Sequence, residues 1–195
     1  MHRVGAFHFR EVNPKVSDAG FRRYIQRGLE QLKKSDTPEA KRTLAAITSG
    51  KVKVDLFSDL TARDFRHMRK DLPELRKADF AKLHDAKSKG FRAIATALNG
   101  YMWDDRVYVH RDLSAKKLAS TLVHEVTHVL NKSEENYRGA KNALLEEYRS
   151  FYAEKRFAGV DMTPARCKAL KQYIIREYEL KGVTPDDVPD RPPSR

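Results

Sequence analysis

Two histidines stand four residues apart, His124 and His128, with Glu125 directly after the first. On a helix that spacing places both imidazoles on one face, a turn apart, where they reach one metal ion. Glu125 projects close by, positioned to hold a water at the metal and take its proton. The pattern is H-E-x-x-H, and the chemistry it serves is hydrolysis by a zinc-activated water. The rest of Thr121–Leu130 is Thr, Leu and Val, without a further charge, so this helix can be buried and its site kept dry.

Two histidines leave such a site incomplete, since catalytic zinc takes three protein ligands and keeps a fourth position open. A third histidine in the H-E-x-x-H-x-x-G-x-x-H pattern is excluded: position 131 is Asn, 134 is Glu, and no histidine follows His128. Cys167 is one remaining source, and the pair Glu146-Glu147 is the other. The apolar stripe of their segment is Leu144, Leu145, Tyr148, Phe151 and Tyr152. At 100° per residue Glu147 lies one step from its centre and Glu146 two steps, on the solvent side. A carboxylate at the apolar border is costly unless it meets a cation, which favours Glu147 as the ligand and keeps Glu146 as its alternative.

His124-Glu125-x-x-His128, then eighteen residues, then Glu147, resembles the ligand spacing of the gluzincin branch of zincin metallopeptidases. Glu147-Tyr148-Arg149-Ser150-Phe151 is also similar to the Glu-Tyr-Arg-Ala-Tyr type of segment on the glutamate helix of small bacterial zincins. The resemblance covers roughly residues 101–157. Residues 1–90 resemble no family, and the exopeptidase Gly-x-Met-x-Asn segment is missing. The resemblance implies an α+β, zincin-like fold, mostly helical, with a small mixed or antiparallel sheet beside the H-E-x-x-H helix. It implies Zn2+ held by His124, His128 and Glu147, with Glu125 as general base, acting on a protein or peptide substrate. It further requires a donor to stabilise the transition state. Tyr148, Tyr152, Tyr173 and His110 are the candidates, although a tyrosine on an apolar helical face commonly belongs to the core.

The elements that must position these residues follow from periodicity. Phe7 and Phe9 alternate in a short strand within residues 4–12. Phe21, Tyr24, Ile25, Leu29 and Leu32 recur at helical spacing. Thr37-Pro38 starts a helix that stops at Gly50. Lys51 to Phe57 alternates as a half-buried strand. Residues 59–70 and 74–87 read as charged helices carrying His67 and His84, neither with a ligand-spaced partner. Residues 99–110 read as a β-hairpin turning at Asp104-Asp105. Ser114 caps the histidine helix, which runs to about Leu130. The glutamate helix begins near 135–139 and ends by Gly159, and Thr163-Pro164 caps a last helix to about Lys181. The expected organisation is a basic α/β part over 1–90, a catalytic core over 91–181 and a Pro-rich flexible tail over 182–195.

Composition restricts the classes left. No window reaches the ~20 apolar residues of a membrane helix; the longest uncharged run, Ala93–Trp103, has 11. The first residues lack the apolar core of a secretory signal, and the single cysteine forbids an internal disulfide. A cytoplasmic, reducing setting is therefore expected, with signal-peptide-independent secretion as the alternative. The net charge is +12, and residues 1–90 supply most of it, with 21 Lys and Arg against 12 Asp and Glu. Such a surface suits an acidic protein or nucleic acid. Two further possibilities thus stand beside the plain zinc metallopeptidase reading. One is a basic nucleic-acid- or protein-binding module with an inactive or incidental H-E-x-x-H. The other is a bacterial effector or toxin protease delivered to another cell.

Overall fold

The computed structural model describes residues 18–57, 60–71, 99–110, 113–132 and 138–193. The strand expected within 4–12, and the helix over 74–87 with His84, lie outside these. The described elements are helices α1 (Asp18–Lys33) and α2 (Pro38–Thr48), strand β1 (Lys53–Leu56), helix α3 (Ala62–Asp71) and strands β2 (Gly100–Trp103) and β3 (Arg106–Val109). Helices α4 (Ala115–Asn131), α5 (Ala140–Phe157) and α6 (Pro164–Glu177) follow, then a 3-10 turn at Pro185–Asp187. The class is α+β, mostly helical with one small mixed sheet. Among the described residues no helix is long and apolar enough to cross a membrane.

The strands lie in the order β1-β3-β2. β1 runs parallel to β3 with Val54 opposite Val107, and β2 runs antiparallel with Tyr101 opposite Tyr108. The hairpin turns at Asp104, whose φ of 57° is in the left-handed region that Asp tolerates better than most residues. Lys132 Nζ holds Asp104 Oδ1 at 2.7 Å and Lys53 pairs with Asp105, which ties the turn to the end of α4 and to β1. On the outer strand, the ring of Trp103 stacks on His67 of α3 with centroids 4.1 Å apart, so His67 is a packing residue.

Helix α4 is the element most others touch: α1, α2, α5, β2 and β3 all pack on it. Ser114 Oγ accepts from Lys117 N at 3.2 Å and starts the helix. Leu118, Ala119, Leu122, Val123 and Val126 are completely buried in the main core, shared with α1, α2 and the sheet. A smaller core holds Leu144 and Tyr148 of α5, Cys167 and Ile174 of α6, and Val188. Helix α5 belongs to both cores, since Ala153 joins the first. Its facing with α4 is therefore fixed from two sides.

Two boundaries differ from the expectation. The last helix ends at Glu177 and not near Lys181, because Glu179 takes φ of 49° and closes a Schellman turn. In that turn Leu180 N donates to Ile175 O at 2.9 Å and Glu179 N to Arg176 O at 3.2 Å. The second correction concerns the segment beyond Gly182, which is packed where a flexible tail was expected. Val188 is 3% exposed, Lys171 Nζ donates to the Val188 carbonyl at 2.9 Å, and Tyr148 Oη donates to the Asp190 carbonyl at 2.6 Å. Buried donors on α5 and α6 need acceptors, and this segment supplies them.

The crossing of α1 over α4 depends on Gly28, where an added Cβ would come within 2.8 Å of Leu118 Cγ and Cδ2. Gly28→Ala adds about 1 kcal/mol of helix propensity. It also displaces a fully buried leucine, at a cost of roughly 1–3 kcal/mol. The expected result is a lower urea midpoint at unchanged slope, and a midpoint at or above wild type would show that the two helices can part freely.

Candidate metal centre

The burial of α4 leaves one face of the helix turned toward α5, and that face carries both histidines. Their Nε2 atoms are 3.2 Å apart, and Glu147 Oε2 lies 3.7 Å from Nε2 of His128. One ligand atom from each of His124, His128 and Glu147 falls within 4.8 Å of the other two. In a tetrahedral zinc site with bonds near 2 Å, ligand atoms stand roughly 3.3 Å apart. Cys167 is in the second core with its thiol toward the Met162 carbonyl, away from this group.

Behind each histidine stands a carboxylate. His128 Nδ1 meets Glu146 Oε1 at 3.3 Å. His124 Nδ1 is 3.3 Å from Glu154 Oε2, an ion-pair contact outside hydrogen-bond geometry. Glu146 favours the ring proton of His128 on Nδ1, which turns its Nε2 toward Nε2 of His124. Two ring nitrogens at that separation, with a carboxylate beside them, suit a cation or a shared proton between them. The donor set of two imidazoles and one carboxylate fits zinc.

The carboxylates differ in their surroundings. Glu154 is held by Ser120 Oγ at 2.7 Å and Lys117 Nζ at 3.5 Å. Burial resists its charge, yet His124, Ser120 and Lys117 together bring its pKa down to about 2, so it stays ionised. Glu146 is 1% exposed and accepts from Arg149 Nη1 at 3.2 Å. This corrects the sequence reading, which put Glu146 on a solvent side. That flank of α5 is covered by α4 and by residues 190–193, the segment expected to be loose. Glu147 is 6% exposed.

Glu125 lies beside the group, 8% exposed, against the first residue of β2. A Cβ on Gly100 would be 2.8 Å from Glu125 Cγ, 2.9 Å from its Oε1 and 2.6 Å from Thr121 Cγ2. Only glycine there lets the carboxylate occupy its place beside the strand. Burial pushes the Glu125 pKa up; the histidines oppose this, and the charges of Glu147 and Glu154 add to it.

The four candidate stabilisers are not gathered with the ligands. Tyr148 is fully buried and its hydroxyl is committed to Asp190. Tyr152 packs edge-on to Tyr148 at 5.8 Å. Tyr173 is one ring removed, edge-on to Phe151 at 6.0 Å, while Phe151 is edge-on to His124 at 4.6 Å. His110 follows β3, and its carbonyl accepts from Tyr24. A tyrosine outside that set, Tyr178, the 44% exposed C-cap of α6, lies near the group. Its partial burial and the nearby charges of Glu147 and Glu125 raise its pKa. Glu154, Arg149, Gly100 and Tyr178 are thus additions to the sequence reading, and Glu146 moves from alternative ligand to partner of His128. Only Glu154 carried a signal, two helical turns beyond Glu147 on the same face.

Burial opposes a charge on His128, but Glu147, the Glu146 hydrogen bond and Glu125 outweigh it and raise its pKa to about 9. The folded value lies above the ordinary ~6.5 of the unfolded chain. This proton therefore stabilises metal-free protein fully below pH ~6.5 and ceases to do so as pH rises through about 9. The melting temperature of EDTA-stripped protein is expected to fall across that window, and zinc binding at pH 7.5 to release a proton. Calorimetry in buffers of different ionisation enthalpy reads the release; a binding enthalpy independent of buffer would contradict the assignment.

No family model, curated protein or solved structure matches this chain.

Proposed function

We propose that this protein is a zinc-dependent metalloendopeptidase of the gluzincin kind, hydrolysing peptide bonds in a protein or peptide substrate. The observation that carries the reading is the approach of His124, His128 and Glu147 to within 4.8 Å, with Glu125 buried beside them. His124, His128 and Glu147 would hold the ion. Zinc in that position supplies Lewis acidity, lowering the pKa of a water toward ~7 and polarising a carbonyl.

The chain's own groups account for the remaining chemistry. Glu125, with its raised pKa, accepts the proton of the attacking water and passes it to the leaving amine. Glu146 and Glu154 keep the two imidazoles oriented. Tyr178, at the edge of the group, offers its O–H to the negative charge that develops on the scissile carbonyl oxygen. Among the described residues β2 pairs with β3 and begins at Gly100, beside Glu125, so an extended peptide lying along this strand would pass the general base. Delivery to another cell, as an effector or toxin, is an extension of this reading suggested by the basic character of residues 1–90.

Two substitutions separate this activity from a binding module with incidental histidines. Glu125→Gln is expected to retain stoichiometric zinc and to lose at least ~10^2-fold in turnover. Proteome-wide cleavage-site mapping of wild type against this variant also identifies the substrate. Zinc-free wild type, or equal cleavage by both proteins, would sink the peptidase reading. Gly100→Ala forces Glu125 out of its place without touching a ligand. Its turnover should drop while zinc affinity holds, and a parallel loss of both would show that Gly100 serves the fold alone.

A further inference from the structure

A chain of polar contacts leads away from the metal group to residues that peptide hydrolysis does not need. His128 Nδ1 meets Glu146 Oε1 at 3.3 Å, and Glu146 Oε2 accepts from Arg149 Nη1 at 3.2 Å. Arg149 Nε then donates to the Pro193 carbonyl at 3.1 Å. Arg149 is 6% exposed, and its planar guanidinium serves the carboxylate and the carbonyl from one orientation. Pro193 is in turn held by upstream anchors. Lys171 Nζ bonds the Val188 carbonyl at 2.9 Å and Asp190 Oδ1 at 2.8 Å, and Tyr148 bonds the Asp190 carbonyl. Val188 fills the second core.

We propose that residues 188–193 form a clasp that sets the metal affinity of the centre, with Arg149 as the positioning residue through which it acts on His128. The inference rests on the metal site of the proposed function. Glu146 can orient the His128 ring only while its own carboxylate is fixed, and Arg149 fixes it. Arg149 borders a groove formed with Pro38, Arg42, Thr127, Tyr152 and Pro192. When the Pro193 carbonyl leaves, the guanidinium is free to swing into that groove, and Glu146 loses its brace. His124 has no such dependence, because its carboxylate is held by Ser120 and Lys117 of α4 itself. The clasp therefore acts on one of the two imidazoles.

The test titrates metal-free protein with Zn2+ against a chromophoric chelator and records the visible spectrum of the Co2+ form. It compares wild type, a chain stopped after Asp190, and full-length Lys171→Met, which unfastens the segment from α6 without touching the metal group. Both variants are expected to bind zinc about tenfold more weakly, the lower end of losses seen when partners behind a ligand are removed. Both should also shift the Co2+ bands, which a merely structural role for the segment would leave in place. If the shortened chain does not fold, Lys171→Met decides alone. Wild-type affinity and spectrum in the variants would overturn the clasp and leave the metal site standing. Wild type that binds no zinc would overturn the metal site and the clasp with it.

Discussion

The structure turns on an excess of buried negative charge between two helices. Glu125, Glu146, Glu147 and Glu154 converge on His124 and His128, and among the described residues Arg149 pairs with Glu146 and Lys117 with Glu154. The carboxylates outnumber these two cations, and Lys117 is itself partly in solvent. In a low-dielectric interior that excess is expensive unless protons or a metal supply the difference. Both responses expected of a metal-free site are visible: the pKa of Glu125 is raised, and that of His128 rises to about 9. A divalent ion removes the same imbalance without protonating the residues that chemistry needs. The carboxylates are thus costly for the fold and informative about the ligand.

Such a cluster persists only where the surrounding packing over-determines it. Helix α4 contributes its fully buried residues to the main core and turns its histidine face toward α5. Helix α5 is gripped on one side by that core through Ala153 and on the other by Leu144 and Tyr148. Neither helix can rotate to relieve the charge without opening an apolar surface. Gly100 closes the third side, bringing the β2 backbone against Glu125 where any side chain would collide with it.

Much of this was legible in the sequence, for reasons that differ residue by residue. His124, Glu125 and His128 are visible because helical spacing alone brings them together and the uncharged neighbours announce burial. Glu147 is visible because its helix has a clear apolar stripe with an acid at its border. Glu146 was misread by the same geometry: a helical wheel assigns one flank to solvent, and it does not know what the chain does forty residues later. The segment that covers that flank has the Pro-rich composition of a loose tail, and its order comes from long-range bonds to Tyr148 and Lys171. Tyr178 was hidden for a related reason. Its place depends on Glu179 entering the left-handed region, a conformation usually signalled by glycine, and the nearest glycine is Gly182.

The two imidazoles are consequently braced by parts of the molecule with different histories in the chain. Glu154 is secured within the α4–α5 pair, so the brace on His124 needs no element beyond those two helices. Glu146 is secured through Arg149 by residues that lie beyond α6 in the chain. Linkage between sites is reciprocal: a segment that strengthens metal binding is itself held more firmly once the metal is bound. On the proposed reading, metal affinity at this centre would not be a property of its ligands alone. It would include the free energy of closing residues 188–193 onto α5, and the two quantities could not be varied independently without cutting the path through Arg149.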